Sequence, residues 1–522
     1  MTTRYDAIVI GGGHNGLVAA CYLARAGRSV IVLERSHIIG GAAVTEEIHP
    51  GYRVSVASYS MSLMRPEIIE TLELVRHGFA VYPKKPSYFM PFPDGEHLLL
   101  DASDPARTHR EIARIAPRDV AGYVAWDAFW DRCCDIIEPT LLHPPISHAE
   151  LAQRFIDAGC ADDYRRLMLL SMRDLLGEFF ESERIKAIMA PQSIISTLAS
   201  PATPGTPYVN LVHAIGRAIH GRRGVWGYVR GGMGMVTQSL AGAAHELGVT
   251  IRTNAAVAQV LVDDGQATGV ILADGTTIRG RTVLSNADPK RTFLGLCPES
   301  ALPAAFRERI ARNYRTDGTV FKLNLALSEL PRYLAAPPGV APEQIASATV
   351  DIAPSLDYLE RAWNDFRSGV PSRQPFVEIF SQSPTDPSLA PPGGHVMSCF
   401  CQYFPYAVAG RSWDDGLREE VADHIVATVS EYAPNLAGAI VARQMLAPVD
   451  LERRFGLTGG NIFHGEITPD QSFDLRPVSG AADYRTPLPG LYLCGSGAHP
   501  GGGVTGIPGH NCAMAVLADD AR

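Results

Sequence analysis

The stretch VIGGGHNGLVAA, from Val9 to Ala20, constrains the fold of this chain more than any other. The apolar run YDAIVI precedes the glycines and is typical of a buried parallel strand. The run GLVAACYLARAG follows with helical propensity and ends at Gly27, a residue type that commonly closes helices. Strand, glycine turn and helix therefore come in order, which predicts an α/β fold that opens with a Rossmann-type unit.

Three glycines in this turn, Gly11, Gly13 and Gly16, satisfy the GxGxxG pattern. The first permits a tight turn, the second lets backbone approach a pyrophosphate, and the third lets the helix pack against the strand. The N-terminus of the helix would direct unpaired N–H groups and a partial positive charge at the phosphates.

A second strand, SVIVLE, ends at Glu34, whose carboxylate can accept hydrogen bonds from ribose hydroxyls. Packing alone can require glycine in a strand–helix turn, but the register of strand, helix, second strand and acid favours a dinucleotide site. The acid disfavours a 2′-phosphate and therefore NADP. These residues leave FAD and NAD both open.

Composition is that of an ordinary globular protein. The chain has 522 residues, enough for two or three domains, with 46% hydrophobic and 19% charged residues. A net charge of −9 provides no basic field to attract nucleic acid. No apolar run reaches the length of a membrane-spanning helix, and the first strand leaves no room for a signal peptide, so we expect a cytoplasmic protein.

The nine cysteines form no CxxC pair and no cluster with zinc spacing, so we predict no metal site. Cys133 and Cys134 are adjacent, and Cys399 and Cys401 are one residue apart. We expect both pairs to be buried small apolar side chains in a reducing compartment, which disfavours a dithiol reductase.

Two later segments are also rich in glycine. The stretch that begins YVRGGMGMV continues through β-rich runs, separated by the hairpin signals Asp264-Gly265 and Asp274-Gly275. The stretch LYLCGSGAHPGGGVTGIPGHNCAMAVL again has the order strand, glycine loop, helix. The predicted nucleotide-binding domain comprises residues 1–79, 226–291 and 458–522, and the predicted substrate domain comprises 80–225 and 292–457.

These motifs together are similar to those of a known family. VIGGGHNGLVAA with the GG turn after it, GGMGMV with SNADP, and LCGSGAHPGGGVTGIPGHN resemble the FAD-dependent phytoene desaturase and carotenoid isomerase superfamily. Within it, GYRVSVASYSMSL and LTGGNIFHGEI resemble the branch of pyridine nucleotide-disulfide oxidoreductase domain-containing protein 2. The resemblance implies a Rossmann-type, glutathione reductase-like FAD-binding domain, interrupted by a mixed α+β substrate domain with a helical cap.

The resemblance also implies FAD as the cofactor and a set of residues that bind it. The set is Gly11, Gly13, Gly16, Glu34, Arg35, Gly41, Ala42, Val257, Gly495, Gly503, Val504 and Thr505. The first three would hold the diphosphate, Glu34 the adenosine ribose, and the backbone of Val257 the adenine. The last three open a helix whose N-terminus would face the flavin pyrimidine ring, where reduced flavin gathers negative charge.

In the first insertion, apolar residues from Tyr164 to Phe179 recur every three or four positions and predict one amphipathic helix. Its apolar face could line a hydrophobic tunnel, dip into a membrane surface, or simply pack in the core. No arginine cluster suits a small anionic substrate, so an apolar tunnel that ends at the flavin is expected.

The candidate catalytic residues are His464, in GGNIFHGEITPDQ, and His499, in the terminal glycine loop. Each histidine could exchange a proton beside the flavin or hold its loop by hydrogen bonds. For Glu466, in the same stretch as His464, we expect the second role. We expect both histidines to lie near the flavin.

We therefore predict an FAD-dependent oxidoreductase, a desaturase or dehydrogenase that removes hydride from a hydrophobic polyene or lipid-like substrate. The electron acceptor could be oxygen, a quinone or another protein, and access to the substrate could involve weak peripheral membrane contact. The alternatives are a flavin-dependent isomerase, a flavin amine oxidase, and a flavin-stabilised interaction protein without turnover.

Overall fold

Short strands and helices alternate throughout the computed structural model, which describes residues 4–521. The strands are β1 (Arg4–Ile10), β2 (Val30–Leu33), β3 (Thr45–His49), β4 (Tyr52–Ser55), β5 (Val81–Pro83), β6 (Tyr88–Pro91), β7 (His97–Leu100), β8 (Gly227–Val229), β9 (Thr250–Arg252), β10 (Val257–Asp263), β11 (Gln266–Leu272), β12 (Thr277–Ser285), β13 (Val320–Leu327), β14 (Thr349–Ile352), β15 (Phe376–Phe380), β16 (His395–Gln402), β17 (Ile440–Leu446) and β18 (Leu491–Leu493).

The α-helices follow the same chain order. They are α1 (His14–Arg25), α2 (Pro66–Thr71), α3 (Pro105–Ile115), α4 (Asp119–Ile137), α5 (His148–Asp157), α6 (Ala161–Met168), α7 (Met172–Phe179), α8 (Glu183–Met189), α9 (Thr206–Ala214), α10 (Gly234–Glu246), α11 (Ala304–Asn313), α12 (Pro342–Ala346), α13 (Leu356–Arg367), α14 (Asp415–Ser430), α15 (Leu436–Ala439), α16 (Pro448–Phe455) and α17 (Ile507–Asp520).

The first sheet draws its strands from three distant parts of the chain. Its order is β10-β11-β12-β1-β2-β9, and β18 pairs with β12. β1 runs parallel to both β2 and β12, and β18 runs parallel to β12. Helices α10 and α17 both pack on α1. The predicted opening unit of strand, helix and strand is confirmed as β1, α1 and β2.

Pairing register brings three strand ends together in this sheet. Ile10 at the end of β1 pairs with Ser285 at the end of β12, and Ser285 pairs with Leu493 at the end of β18. The loops that follow these strands therefore leave the same edge of the sheet. On the far side of β12, the predicted hairpin turns are confirmed, because β10, β11 and β12 form an antiparallel meander.

The second sheet has the order β17-β13-β16-β15-β14-β6-β7 and is mainly antiparallel. Successive side chains of a strand point to opposite faces. One face packs its apolar residues, such as Leu323, Ile379 and Cys399, against α14. The other face carries a row of cross-strand neighbours: Asp351 opposite Glu378, Glu378 opposite Phe400, and Phe400 opposite Lys322.

The segment from Tyr164 to Phe179 is not one helix, so that prediction was wrong. Helix α6 ends at Met168, and Ser171 begins α7 by accepting a hydrogen bond from the backbone N–H of Asp174 at 3.1 Å. Because serine caps α7, the apolar positions lie on two helices that pack in the core with α4. Within residues 4–521, no helix is both long and apolar enough to cross a membrane.

Candidate active site

A cavity of about 640 Å³ lies where the loops of the first sheet meet the second sheet. Its wall includes Gly11, Glu34 and Gly503 from the first sheet's loops, together with Thr349 and Glu378 from the second sheet. One continuous space is therefore available to a cofactor and to a second molecule.

The first glycine loop is built so that only glycine fits at critical positions. Gly11 has a φ of +98°, a left-handed conformation that side chains disfavour. A Cβ on Gly16 would lie 2.2 Å from the carbonyl oxygen of Gly11. Asn286, which follows β12, donates its amide to that same carbonyl at 3.3 Å. The loop and the N-terminus of α1 at His14 are thus held open toward the cavity.

Glu34 supports this loop from the end of β2. Its Oε2 accepts a hydrogen bond from the backbone N–H of Gly12, and its Oε1 accepts one from Ser36, both at 2.8 Å. A carboxylate has about four lone-pair positions, so both oxygens can still accept ribose hydroxyls. Glu34 lines the cavity and is 7% exposed.

The other predicted residues near this end also lie in the cavity wall: Arg35, Gly41, Ala42 and Val257. Arg35 uses its guanidinium on the C-terminal end of α16, donating to the carbonyl oxygens of Arg454 at 2.7 Å and Arg453 at 3.1 Å. Gly41 has a φ of +58° and its neighbour Gly40 one of +133°. This turn lies beside the first glycine loop, because Gly40 bridges to Gly13.

The terminal loop supplies Gly503 and Val504 to the cavity wall. Gly495 and Thr505 act behind it. A Cβ on Gly495 would lie 2.6 Å from the carbonyl oxygen of Asn286, and the hydroxyl of Thr505 accepts a hydrogen bond from the backbone N–H of Ile507 at 3.1 Å. Both residues therefore shape the loop at the start of α17.

His464 lies in the cavity wall beside His14. Burial lowers the pKa of both imidazoles. With a smaller effect of His464, it brings the pKa of His14 to about 4. Among the residues described, Nε2 of His14 and Nδ1 of His464 have no hydrogen-bond partner. Both rings are therefore neutral at physiological pH and keep a free nitrogen.

His499 is placed differently. It is fully buried, its ring lies 5.8 Å from that of Phe473, and it is not part of the cavity wall that residues 4–521 form. Both of its ring nitrogens are without a hydrogen-bond partner in the described chain. Burial, with a smaller effect of Arg476, lowers its pKa to about 3.

Arg476 holds the loops of His464 and Ser496 together. It is fully buried and donates to the carbonyl oxygens of Ser496 at 2.6 Å, Phe463 at 3.0 Å and Glu466 at 2.5 Å.

The carboxylate of Glu466 accepts hydrogen bonds from the backbone N–H of Leu198 and the side-chain amide of Asn461, and burial raises its pKa to about 7. These groups position the loops.

The opposite end of the cavity is polar, which the expectation of a purely apolar tunnel did not include. Lys84, Gln192 and Glu378 line it, beside the aromatic rings of Tyr59 and Phe380. Burial lowers the pKa of Lys84 to about 7 and raises that of Glu378. In the described structure, the segment from Tyr164 to Phe179 contributes nothing to the cavity wall, so it does not line a tunnel.

Sequence reasoning missed several residues of this site. Asn286 belongs to the motif SNADP, and a polar residue directly after a parallel strand is a usable signal for such a site. For Glu378, the signal is a lone acid in the apolar run FVEIF. Lys84 and Gln192 give no such signal, because Lys84 lies in the loop after β5 and Gln192 lies in a single 3₁₀ turn.

Several observations fit a bound dinucleotide. Unpartnered buried atoms, namely Nε2 of His14, Oδ1 of Asn15 and Nδ1 of His464, belong to residues of the cavity wall in the described part of the chain. Helix α1 has no acidic residue in its first turn, and Gly13, which precedes its first residue, provides no side-chain cap. Its free N–H groups suit a pyrophosphate.

Fold and site together define a dinucleotide-binding protein with a cavity between the cofactor loops and the second sheet. The chain belongs to the flavin-containing amine oxidoreductase family, whose profile matches residues 16–509. It is 42% identical to the mouse pyridine nucleotide-disulfide oxidoreductase domain-containing protein 2, over 99% of this chain and 94% of that protein.

More distant proteins are similar along the same length. The chain is 26% identical to the lycopene-forming phytoene desaturase of Pseudescherichia vulneris, over 98% of each chain. Cyclohexylamine oxidase from Brevibacterium oxydans shares the fold, with a TM-score of 0.60 at 16% identity and full coverage of both chains. The protein is accordingly an FAD-dependent oxidoreductase, and FAD, when bound, supplies hydride acceptance.

Proposed function

We propose that this protein is a dehydrogenase or desaturase that oxidises a largely hydrophobic small molecule in the cavity described above. In this proposal residues 1–79, 226–291 and 458–522 bind FAD, and residues 80–225 and 292–457 form the substrate side. The electrons pass to oxygen, a quinone or another protein.

The observation that carries the proposal is the continuity of the cavity between the cofactor loops and an apolar chamber. The chamber walls include Met61, Leu63, Ile195, Trp226 and Phe380. Each buried methylene of a substrate contributes about 0.8 kcal/mol to binding, so such walls favour long apolar ligands. The similarity to a phytoene desaturase supports the same substrate class.

The protein's own residues would mainly bind and orient. Glu34 would accept hydrogen bonds from the ribose of FAD, and the N-termini of α1 and α17 would stabilise negative charge on the cofactor. His464, neutral and with a free nitrogen, would donate or accept a hydrogen bond at the cavity wall. His499 would support the terminal loop, because its ring faces Phe473 rather than the cavity.

Anaerobic stopped-flow spectroscopy tests the proposal directly. Flavin reduction by a homologous series of apolar substrates should become more efficient with chain length, at about 0.8 kcal/mol per buried methylene. A peroxide assay with primary amines tests the amine-oxidase alternative, and product isomers formed without net reduction would identify an isomerase. Reduction by small polar amines alone would refute the proposed substrate class.

We also propose weak, reversible membrane contact, because an apolar substrate is stored in membranes. Exposed apolar residues on the helical part support this contact: Ile156 is 54% exposed and Leu169 is 62% exposed. Binding through apolar side chains should persist at high salt, since the chain's net charge of −9 opposes anionic lipid. Liposome co-sedimentation across a salt series checks this, and protein that stays in the supernatant throughout contradicts it.

A further inference from the structure

The polar end of the cavity contains a buried amino group with unused donors. Lys84 is 3% exposed, and its ammonium donates to the hydroxyl of Thr349 at 2.8 Å. The same nitrogen lies 4.3 Å from the ring centre of Phe380 and 5.1 Å from that of Tyr228. An ammonium has three N–H donors, and in the described chain Thr349 accepts one hydrogen bond from Lys84. Donors therefore remain for a ligand.

The neighbouring acid is held by two donors and can accept more. Glu378 is 3% exposed; its Oε1 accepts from Gln192 at 2.7 Å and its Oε2 from the hydroxyl of Tyr59 at 3.3 Å. The ring of Tyr59 stacks on Phe380 with centroids 4.1 Å apart. Each carboxylate oxygen retains a lone pair, so Glu378 can accept a hydrogen bond from a ligand.

Formal charges at this end of the cavity balance without a ligand. Asp351 pairs with Glu378 across β14 and β15, and Lys322 lies two strands further along the same face. Of these groups, the cavity wall that residues 4–521 form contains one carboxyl group, that of Glu378, and one amino group, that of Lys84. A ligand with a full charge would add an uncompensated charge to a buried site, which is costly.

We propose that Lys84 and Glu378 together recognise an uncharged hydroxyl group on the substrate. A hydroxyl accepts a hydrogen bond from Lys84 and donates one to Glu378, whereas a carboxylate cannot donate and an ammonium cannot accept. An apolar substrate without this group would leave the donors of Lys84 buried and unpaired. The inference rests on the proposed function, because the rest of the substrate occupies the apolar chamber.

Four ligands of equal chain length test the inference on the FAD-loaded protein: dodecanol, dodecane, dodecanoate and dodecylamine. Dissociation constants come from the perturbation of flavin absorbance and from thermal shift. Dodecanol should bind about tenfold or more tightly than each of the others, as expected for a hydrogen bond to a charged group. Equal binding of dodecanol and dodecane, or tighter binding of the acid or the amine, overturns the inference.

Variants assign the preference to the two residues. In Lys84→Met the advantage of dodecanol should fall by about tenfold, and Glu378→Gln should reduce it in the same direction. Lys85→Met is the matched control, because Lys85 is exposed and outside the cavity wall. A folded, FAD-loaded Lys84→Met protein that keeps the full preference overturns the inference; should that variant not fold, Glu378→Gln decides in the same way.

The same data separate this inference from the proposed function. Binding of dodecane and dodecanol with equal affinity supports an apolar substrate and refutes only hydroxyl recognition. Failure of all four ligands to bind refutes the apolar substrate itself.

Discussion

Glu34 links the end of β2 to the first glycine loop, because its carboxylate accepts a hydrogen bond from the backbone N–H of Gly12 at 2.8 Å. The same side chain lines the cavity. One carboxylate thus fixes the glycine loop and, in the proposed complex with FAD, would present acceptors to the ribose.

Replacement of Glu34 by alanine should therefore weaken FAD binding by roughly 1.5–3 kcal/mol, the value of a hydrogen bond to a charged group. Gel filtration followed by an absorbance ratio measures the FAD that remains bound. Glu47→Ala is the control, since Glu47 is exposed on β3 and lies outside the cavity wall. Unchanged affinity in Glu34→Ala would show that the ribose is held elsewhere.

The purified protein should be yellow and should release FAD on heat denaturation. No cysteine contributes to the cavity wall that residues 4–521 form, so a thioether bond to the flavin is not expected. FAD binds only the folded state, so an FAD concentration a hundredfold above Kd should stabilise the protein by about 2.7 kcal/mol and raise its Tm. Chromatography of the supernatant identifies the cofactor; FMN, or flavin that stays with the precipitate, contradicts this prediction.

Arg476→Lys should destabilise the FAD-loaded protein by about 3 kcal/mol or more. Lysine cannot reproduce the guanidinium fork, so at least two hydrogen bonds to carbonyl oxygens are lost, each worth about 1.5–3 kcal/mol. Urea unfolding measures the change. Arg312→Lys is the control, because the Arg312 side chain is 77% exposed. Equal loss of stability in both variants would mean that the buried hydrogen bonds of Arg476 contribute nothing specific.

His499 should make the protein sensitive to acid. Burial lowers its pKa from 6.5 to about 3, so the folded state binds fewer protons than the unfolded state between these values. Its contribution is fully present above about pH 6.5 and is lost as the pH falls toward about 3. Between about pH 7.5 and about pH 5.5 this loss amounts to about 1.4 kcal/mol.

His499→Phe removes that titration, so its free energy of unfolding should fall by about 1.4 kcal/mol less than that of the original protein over the same pH interval. Denaturant titrations at the two pH values provide the comparison. An identical pH dependence in both proteins would show that His499 is not buried as a neutral imidazole.

Flavin reduction should separate the two candidate histidines. His464→Gln should slow reduction by about a hundredfold, because a hydrogen-bonding or proton-transfer group at the cavity wall is lost. His499→Phe should leave the rate constant within about twofold, since its ring faces Phe473 instead. Anaerobic single-turnover kinetics measures both, and a larger effect from His499→Phe would reverse the assignment.

Much of the cofactor site could be predicted from sequence because its signals are local. The turn at Gly11 needs a left-handed glycine, the helix must begin directly after it, and the acid at Glu34 must end the next strand. The hairpins at Asp264-Gly265 and Asp274-Gly275 are equally local, because turn chemistry depends on neighbouring residues. Spacing along the chain was sufficient for these features.

The segment from Tyr164 to Phe179 shows where local patterns fail. Apolar spacing alone predicts one helix, yet α6 ends at Met168 and Ser171 caps the start of a separate helix, α7. Core packing then decides which face is buried.

What only the tertiary structure decided is the far end of the cavity. Lys84, Gln192, Thr349 and Glu378 lie up to about 300 residues apart along the chain. Thr349 and Glu378 come together because β14 and β15 pair, and the side chains of Lys84, after β5, and Gln192, in a 3₁₀ turn, bond to them. The positions of His464 and His499 relative to the cavity likewise depend on how Arg476 draws their loops together. Sequence determined the cofactor because backbone geometry at a glycine loop is local, whereas the substrate side is a product of long-range strand pairing.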